Sequence, residues 1–487
     1  MKIREILNGI KYKCADLGDI EIRDIAYDSR KSGEGIVFVC LKGAFADGHK
    51  YASSAYERGS RVFVCSDEIT VGEGATVITV EDTRAALAKM SCNFFRHPSK
   101  EMAVIGITGT KGKTTVAHIV KSVLEAGGLM TGIIGTVGAS FGDTVLPTVN
   151  TTPESYELQK MFRLMVDGGC KAAAIEVSSL GLKAHRTDGI EFAMGVFTNL
   201  YPDHVGTNEH ESYEEYAYWK TQLFPMCNAA VLNLDDPYTS VVEKVCKGDI
   251  ITYGKNEKAA YRLISSKKVK FDGKLGMSFE CEHNGEIKGY RISLPGDVNA
   301  SNALVALAVA DYLGIGEEEQ ARGLSSVFVK GRGEMLSLDG DFTVIIDYAH
   351  NGISLESIIE TAKAYEHERI VTLFGSVGGR TECRREELGT VSGKLSDFSI
   401  ITSDDPNFEE PRKICEEIAF YCKAQGGEYV IIPDRAEAIE YAILNARKGD
   451  IIILAGKGHE ETMKIRGENV PFVEKEEVFK AMKKRGV

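Results

Sequence analysis

An α/β protein of three domains is predicted: a mixed α/β N-terminal domain over residues 1–97, a central domain with a mainly parallel sheet over 98–329, and a C-terminal doubly wound, Rossmann-like domain over 330–487. Three observations carry this. The chain has 487 residues, too many for one hydrophobic core, and roughly 150 residues per domain gives about three domains. Glycine is abundant at 50 residues and proline scarce at 11, while short β-branched runs recur before glycines and helix-length stretches, the rhythm of β-α-β units. Hydrophobic residues at 43% and charged residues at 26% suit a folded globular chain and exclude disorder as its main state.

Taken in order, the first strands fall at 36–41 and 61–65, and FFRHPSK at 94–100 marks a hinge, because Pro98 biases the residue before it away from helix. Strands follow at 104–108, 172–177, 195–199 and 230–234. Each is near-continuously apolar, as parallel strands covered on both faces are, and each stops at a polar or glycine residue. A second series begins near Phe342, where TVIIDYAH, RIVTLFGS, FSIITSDDP, EYVIIPD and DIIILAGKG alternate with amphipathic stretches of helical length. That series is a separate doubly wound unit, with its boundary just before Lys330-Gly-Arg-Gly. Ligands of such sheets bind beyond the carboxyl ends of the strands, so site residues are expected there.

Composition narrows the function. The formal charge is -13, with 58 basic against 71 acidic side chains, which excludes the basic surface of a nucleic-acid binder. Eleven cysteines without a C-x-x-C pair read as reduced thiols in a cytoplasmic chain. No signal peptide or membrane span is expected, because charges interrupt the short N-terminal apolar stretch and no apolar run reaches about 18 residues. A monomer is expected.

ITGTKGKT at 107–114 lies between a predicted strand and the apolar-periodic VAHIVKSVLEAG. A loop entering a helix there presents backbone N–H groups to phosphate oxygens, which makes the central domain a P-loop ATPase domain. The strict G-x-x-x-x-G-K-[ST] pattern fails at its first position, Ile107, but Gly112, Lys113 and Thr114 hold their places. Gly109, Thr110, Lys111, Gly112, Lys113, Thr114 and Thr115 are the candidate ATP contacts, with Lys113 neutralising phosphate and Thr114 on magnesium. The competing reading is a glycine-rich βα turn that binds nothing; strand, loop, Lys-Thr and helix agree against it. No N-K-x-D motif supports guanine, and the loop alone does not choose between ligase, kinase, motor and GTPase.

DSR at 28–30, DGH at 47–49, TGTKGKT, NTTP, EVSS and AGKGHE occur in that order. Together they resemble the Mur ligase family, ATP-dependent amino-acid-adding enzymes of bacterial cell-wall precursor synthesis, and the resemblance spans all three proposed domains. It implies phosphorylation by ATP of the D-glutamyl side-chain carboxylate of UDP-N-acetylmuramoyl-L-alanyl-D-glutamate, then attack by a free diamino acid on the acyl phosphate. On their own, Glu176 reads as a cap or ion-pair residue, His204 as a turn residue and Lys220 as a solvated helix lysine. The resemblance makes Lys113, Glu176, His204 and Lys220 the catalytic set. It places Thr114, Glu176, His204 and a carbon dioxide-derived carbamate on Lys220 around Mg2+. Asn299 and Asn302, ordinary N-capping types alone, become adenine-side contacts. Arg332 and Asp347 become ATP contacts from the third domain, whose closure would complete the site.

The resemblance further gives Ser29 and Arg30, with the DGH segment, to the uridine nucleotide, and Thr151, Thr152, Ser178 and Arg186 to the substrate's peptide and carboxylates. The amino-acid pocket is assigned to Arg380, Asp404, Asp405, Asn407, Gly456 and Glu460. Members adding diaminopimelate usually read DNPR where this chain reads DDPN, so position 407 lacks the arginine that pairs with that substrate's extra carboxylate. Three carboxylates and no arginine at 407 lead to an expectation of L-lysine, with meso-diaminopimelate and L-ornithine as alternatives. Leu180 replaces a histidine frequent after EVSS, and the segment after His204 is longer than usual. Other amide-forming members, a simple phosphotransferase and a non-catalytic nucleotide-binding scaffold are the remaining alternatives.

Overall fold

Short apolar strands separated by helices lay down mainly parallel sheets in the computed structural model, which describes residues 1–43, 46–201, 210–271, 274–336, 338, 340–379 and 382–486. His204 and Arg380 lie outside the described residues. In the N-terminal segment, β1 (Asp24–Ala26), β2 (Ile36–Val39), β3 (Val62–Cys65) and β4 (Thr76–Thr79) pair in chain order, all parallel. Both faces of β3 are covered, which is why VFVC carries no polar alternation.

The central strands are β5 (Ala103–Thr108), β6 (Thr131–Gly135), β7 (Gly138–Phe141), β8 (Thr144–Leu146), β9 (Ala172–Glu176), β10 (Phe192–Phe197), β11 (Cys227–Asn233) and β12 (Asp249–Gly254). Their spatial order is β12-β11-β10-β5-β9-β6-β7-β8, parallel from β12 to β6, with the hairpin strands β7 and β8 antiparallel at the edge. β5 sits between β10 and β9, so the loop after β5, Glu176 at the end of β9 and Asn199 just past β10 emerge side by side. Gly106 within β5 makes room for the Phe192 ring, since a Cβ there would overlap it.

Next come β13 (Tyr261–Phe271), β14 (Lys274–His283) and β15 (Glu286–Ile292), the last two antiparallel around Asn284-Gly285, whose φ angles are 52° and 78°. The third sheet holds β16 (Glu334–Leu336), β17 (Thr343–Asp347), β18 (Arg369–Phe374), β19 (Phe398–Ile401), β20 (Tyr429–Ile431) and β21 (Asp450–Ala455) in the order β16-β17-β21-β18-β19-β20, parallel except for β16. β21 shows why it is doubly wound. Ile451, Ile453 and Ala455 enter one apolar cluster and Ile452 and Leu454 another, so both faces must be covered by helices. A hairpin of β22 (Thr462–Ile465) and β23 (Glu468–Pro471) follows.

The α/β class with mainly parallel sheets is as expected, and none of the eleven cysteines pairs with another. Two compact units form, Met1–Arg262 with Leu304–Gly323, and Leu263–Ala303 with Leu324–Val487. Among the described residues no helix is long and apolar enough to cross a membrane.

Candidate functional site

In the first unit, Gly112 (φ 88°) turns the chain into the helix Lys113–Ala126, whose first N–H groups have no intrahelical acceptor and form an anion cradle. Gly109 (φ 145°) lets the loop lie flat against β10, because a Cβ there would strike Thr198 Oγ1 and the Asn199 backbone. Asn199 straps the loop down: Lys111 N–H donates to its Oδ1 at 2.9 Å, and its Nδ2 donates to Lys111 O at 3.0 Å. Lys113 Nζ donates to the carbonyls of Gly109 and Thr110 at 2.9 and 3.1 Å, so the ammonium rests on the loop itself.

Glu176 is buried and its carboxylate meets Thr114 Oγ1 at 2.9 Å through Oε2 and Thr136 N–H at 2.9 Å through Oε1. A hydroxyl and a carboxylate held this close are hard oxygen donors of the kind magnesium takes, so the residues present fit the ion. Lys220 is also brought in. It is 3% exposed, donates to Gly109 O at 2.7 Å and lies 4.6 Å above the ring of Tyr216, whose hydroxyl is 3.0 Å from Thr110 Oγ1. The solvated helix lysine of the local pattern is therefore buried against the phosphate loop.

Thr152 ties the NTTP segment to the end of β9, donating to Glu176 O at 2.9 Å and accepting from Ser178 N–H at 2.9 Å, while Thr151 meets Thr136 at 3.1 Å. Ser178 also caps the short helix Ser179–Lys183. Arg186 donates to Glu154 and to Thr152 O, and Glu154 also receives Arg84 at 3.1 Å. Arg84 and Glu154 line a cavity of about 530 Å³ together with Asp28, Ser29 and Arg30. Arg30 folds back onto Asp28 at 2.7 Å and stays exposed. His49 of DGH is spent on structure, since Nδ1 pairs with Asp47 at 2.7 Å and Nε2 accepts from Ser66 N–H at 3.1 Å.

The second unit holds the rest. Asn302 Nδ2 donates to Asn299 Oδ1 at 3.0 Å, and Asn299 Nδ2 to Pro295 O at 2.7 Å. Asp347 accepts N–H groups from Gly333 and Ala349 at 2.7 and 2.8 Å; burial pushes its carboxyl up, with Arg332 and those N–H groups pulling it back. Arg332 lies 4.6 Å over the Tyr348 ring, and Tyr348 donates to Glu460 at 3.3 Å.

Asp404, Asp405 and Glu460 converge, with ligand oxygens all within 4.8 Å of one another, a spacing that can hold a cation. Lys457 is that cation. Fully buried, its Nζ lies 2.8 Å from Asp405, 2.5 Å from Glu460 and 3.7 Å from Asp404. Burial alone would lower its ammonium, but the three carboxylates outweigh burial and hold it above its ordinary value. Burial also pushes the Asp404 carboxyl up, against the pull of Arg435 and Lys457. Gly456 (φ 113°) brings the backbone to Asp404 where a Cβ would crowd its Oδ2. Fully buried Arg435 donates to Ser403 O at 2.9 Å and Ala455 O at 2.8 Å and pairs with Glu474 at 2.6 Å, fixing the carbonyls just before Asp404 and Gly456.

Asn407 has a part in the backbone that the sequence did not show. It sits at φ 54°, a left-handed conformation that asparagine tolerates better than most residues, and its Oδ1 accepts Gly467 N–H at 3.1 Å. Its identity thus has a backbone reason separate from any substrate. Lys457, Arg435, Asn199, Thr136 and Tyr216 were missed from sequence; only Lys457 carried a signal, inside AGKGHE.

A phosphate-binding loop beside a buried carboxylate, with a separate Rossmann-like unit carrying a charged cluster at its strand ends, defines a nucleotide-dependent enzyme of several α/β domains. The Mur ligase catalytic domain matches residues 21–95, the Mur ligase middle domain 107–310 and the Mur ligase glutamate ligase domain 331–458. A UDP-N-acetylmuramoyl-L-alanyl-D-glutamate–2,6-diaminopimelate ligase of Caldanaerobacter subterraneus subsp. tengcongensis is 41% identical over 98% of both chains. The ligase of that name from Clostridium perfringens is 37% identical over 98% of this chain and 99% of its own. A solved structure of such a ligase superimposes with a TM-score of 0.73 at 25% identity, covering 100% of this chain and 99% of the other. MurF of Acinetobacter baumannii shares the fold, with a TM-score of 0.68 at 18% identity over 99% and 98% of the chains. The chain belongs to the Mur ligase family, and like its members it is an ATP-dependent, ADP-forming amide ligase of peptidoglycan precursor synthesis.

Proposed function

We propose that this chain joins meso-diaminopimelate to the D-glutamyl side-chain carboxylate of UDP-N-acetylmuramoyl-L-alanyl-D-glutamate in the cytoplasm, with ATP and magnesium. The observation that carries the choice of amino acid is the 41% identity, end to end, with a relative named for diaminopimelate. The geometry supports this choice in so far as the acidic cluster already holds the Lys457 ammonium and Asn407 serves the backbone.

A carboxylate is a poor electrophile because its leaving group would be oxide. In the proposed reaction a glutamyl oxygen bonds to the γ-phosphorus as ADP departs; the amine then bonds to the acyl carbon, phosphate leaves, and the amine nitrogen gives up its proton. The protein's share is positioning and charge neutralisation. Lys113 and the N–H groups opening the helix Lys113–Ala126 receive phosphate, while Thr152, Ser178 and Arg186 hold the peptide. Thr114 and Glu176, with His204, would hold magnesium, which supplies positive charge to the phosphate oxygens. A carbamate on Lys220 belongs to the same reading: carbon dioxide adds to the neutral amine, which loses a proton, and a cation becomes an anion suited to the metal.

L-Lysine is the second reading, favoured by the absence of arginine at 407, with L-ornithine behind it. The test is phosphate release from ATP, magnesium and UDP-N-acetylmuramoyl-L-alanyl-D-glutamate with each of the three amines and with none, recording product masses. A diaminopimelate-added product is expected. A lysine-added product with no diaminopimelate product would overturn the choice of amine and keep the ligase.

A further inference from the structure

Diaminopimelate differs from lysine by one carboxylate, and a carboxylate taken from water needs a cation or several N–H donors. Position 407 supplies no cation, and Lys457 is committed to Asp405 and Glu460. What the fold brings to the DDPN segment instead is the hairpin β22–β23. Lys464 N–H donates to Asp405 Oδ1 at 2.9 Å, and Asn407 N–H donates to Lys464 O at 2.9 Å. Arg466 N–H donates to Asn407 O at 2.6 Å, and Gly467 N–H to Asn407 Oδ1 at 3.1 Å. Four hydrogen bonds therefore register the turn against the motif that faces the incoming amino acid. Arg466 (φ 51°) and Gly467 (φ 86°) are the two central residues of that turn, both at positive φ as a type I′ turn requires. Arg466 is exposed and forms no ion pair among the described residues.

We propose that Arg466 is a specificity-determining residue: from the hairpin tip it supplies the guanidinium that position 407 lacks, pairing with the second carboxylate of diaminopimelate. The assignment rests on the diaminopimelate reading above. It explains how a chain with asparagine at 407 serves a substrate with two carboxylates, and why asparagine is there, since the same residue anchors the turn that carries the arginine.

The test uses the full-length enzyme and the variants Arg466→Asn, which keeps a residue tolerant of positive φ, Arg466→Lys and Lys464→Ala, with kcat and KM measured for meso-diaminopimelate and for L-lysine. For Arg466→Asn, KM for diaminopimelate is expected to rise about tenfold or more, with kcat/KM for lysine within about twofold of wild type. Arg466→Lys should recover part of the loss, and Lys464→Ala should leave the ratio of the two amines unchanged. Equal losses with both amines, no change with diaminopimelate, or a shifted ratio from Lys464→Ala alone would each overturn the assignment while the amine choice stands. A wild-type enzyme that adds only lysine overturns both.

Discussion

Gly135 has no side chain, and Glu176 uses the space: a Cβ there would run into Oε1 of that carboxylate. The bare backbone at the end of β6 thus lets Glu176 reach both Thr114 and the Thr136 N–H. Gly135→Ala is expected to slow amide formation about 100-fold or more, because small displacements of a positioned group cost that much. Steady-state rates at saturating substrates check it, with circular dichroism confirming the fold; an unchanged rate would remove Glu176 from the reaction. Glu176 was visible in the sequence as a carboxylate at a strand end. Gly135 and Thr136 were not, since they act through a strand 40 residues away in sequence that only folding makes adjacent. The backbone role of Asn407 was hidden for a related reason: a positive φ leaves no mark on an asparagine until the backbone is seen.

The helix Lys113–Ala126 was legible because its apolar periodicity follows a strand and a glycine loop. The hairpins were not, since their strands alternate too loosely, although Asn284-Gly285 was a usable type I′ signal and Arg466-Gly467 a weaker one. One titration belongs to that helix. His118 lies five residues after Lys113 on that helix, and burial, with Lys121 adding to it, lowers its imidazole from 6.5 to about 4. Its folded value is below its unfolded one, so the unfolded chain takes the proton first. The stability it supports is complete above about pH 6.5 and is lost as pH falls toward about 4. Melting temperature should therefore drop between pH 7 and 5 more steeply in the wild type than in His118→Gln. Parallel slopes for the two proteins would show that His118 is not the group responsible.

Over the whole molecule, the residues read for one reaction divide between two units. The phosphate loop, Glu176, Lys220 and the cavity lined by Asp28, Ser29 and Arg30 belong to the first, and Asn299, Asn302, Arg332, Asp347 and the DDPN and AGKGHE segments to the second. Chain order announced this only in part: Asn299 and Asn302, read with the central domain of residues 98–329, lie in the second unit, on the helix Asp297–Tyr312 rather than at a strand end. The charge balance inside the second unit was not announced, since Lys457 and Arg435 neutralise carboxylates from three separate segments. Among the described residues Lys457 pairs with Asp404, Asp405 and Glu460, and Arg435 with Glu474, so removing either cation leaves carboxylates uncompensated, a loss of about 3–5 kcal/mol for a buried pair. Lys457→Met should lower the melting temperature by several degrees and raise KM for the amino acid about tenfold or more, because Asp405 and Glu460 then repel one another. KM for UDP-N-acetylmuramoyl-L-alanyl-D-glutamate, whose candidate contacts lie in the first unit, should stay within about twofold, and Lys457→Arg should restore stability before affinity, since a planar fork cannot reproduce a compact ammonium. If both KM values rise together, Lys457 supports the fold at large and the charge balance of the amino-acid pocket is set elsewhere.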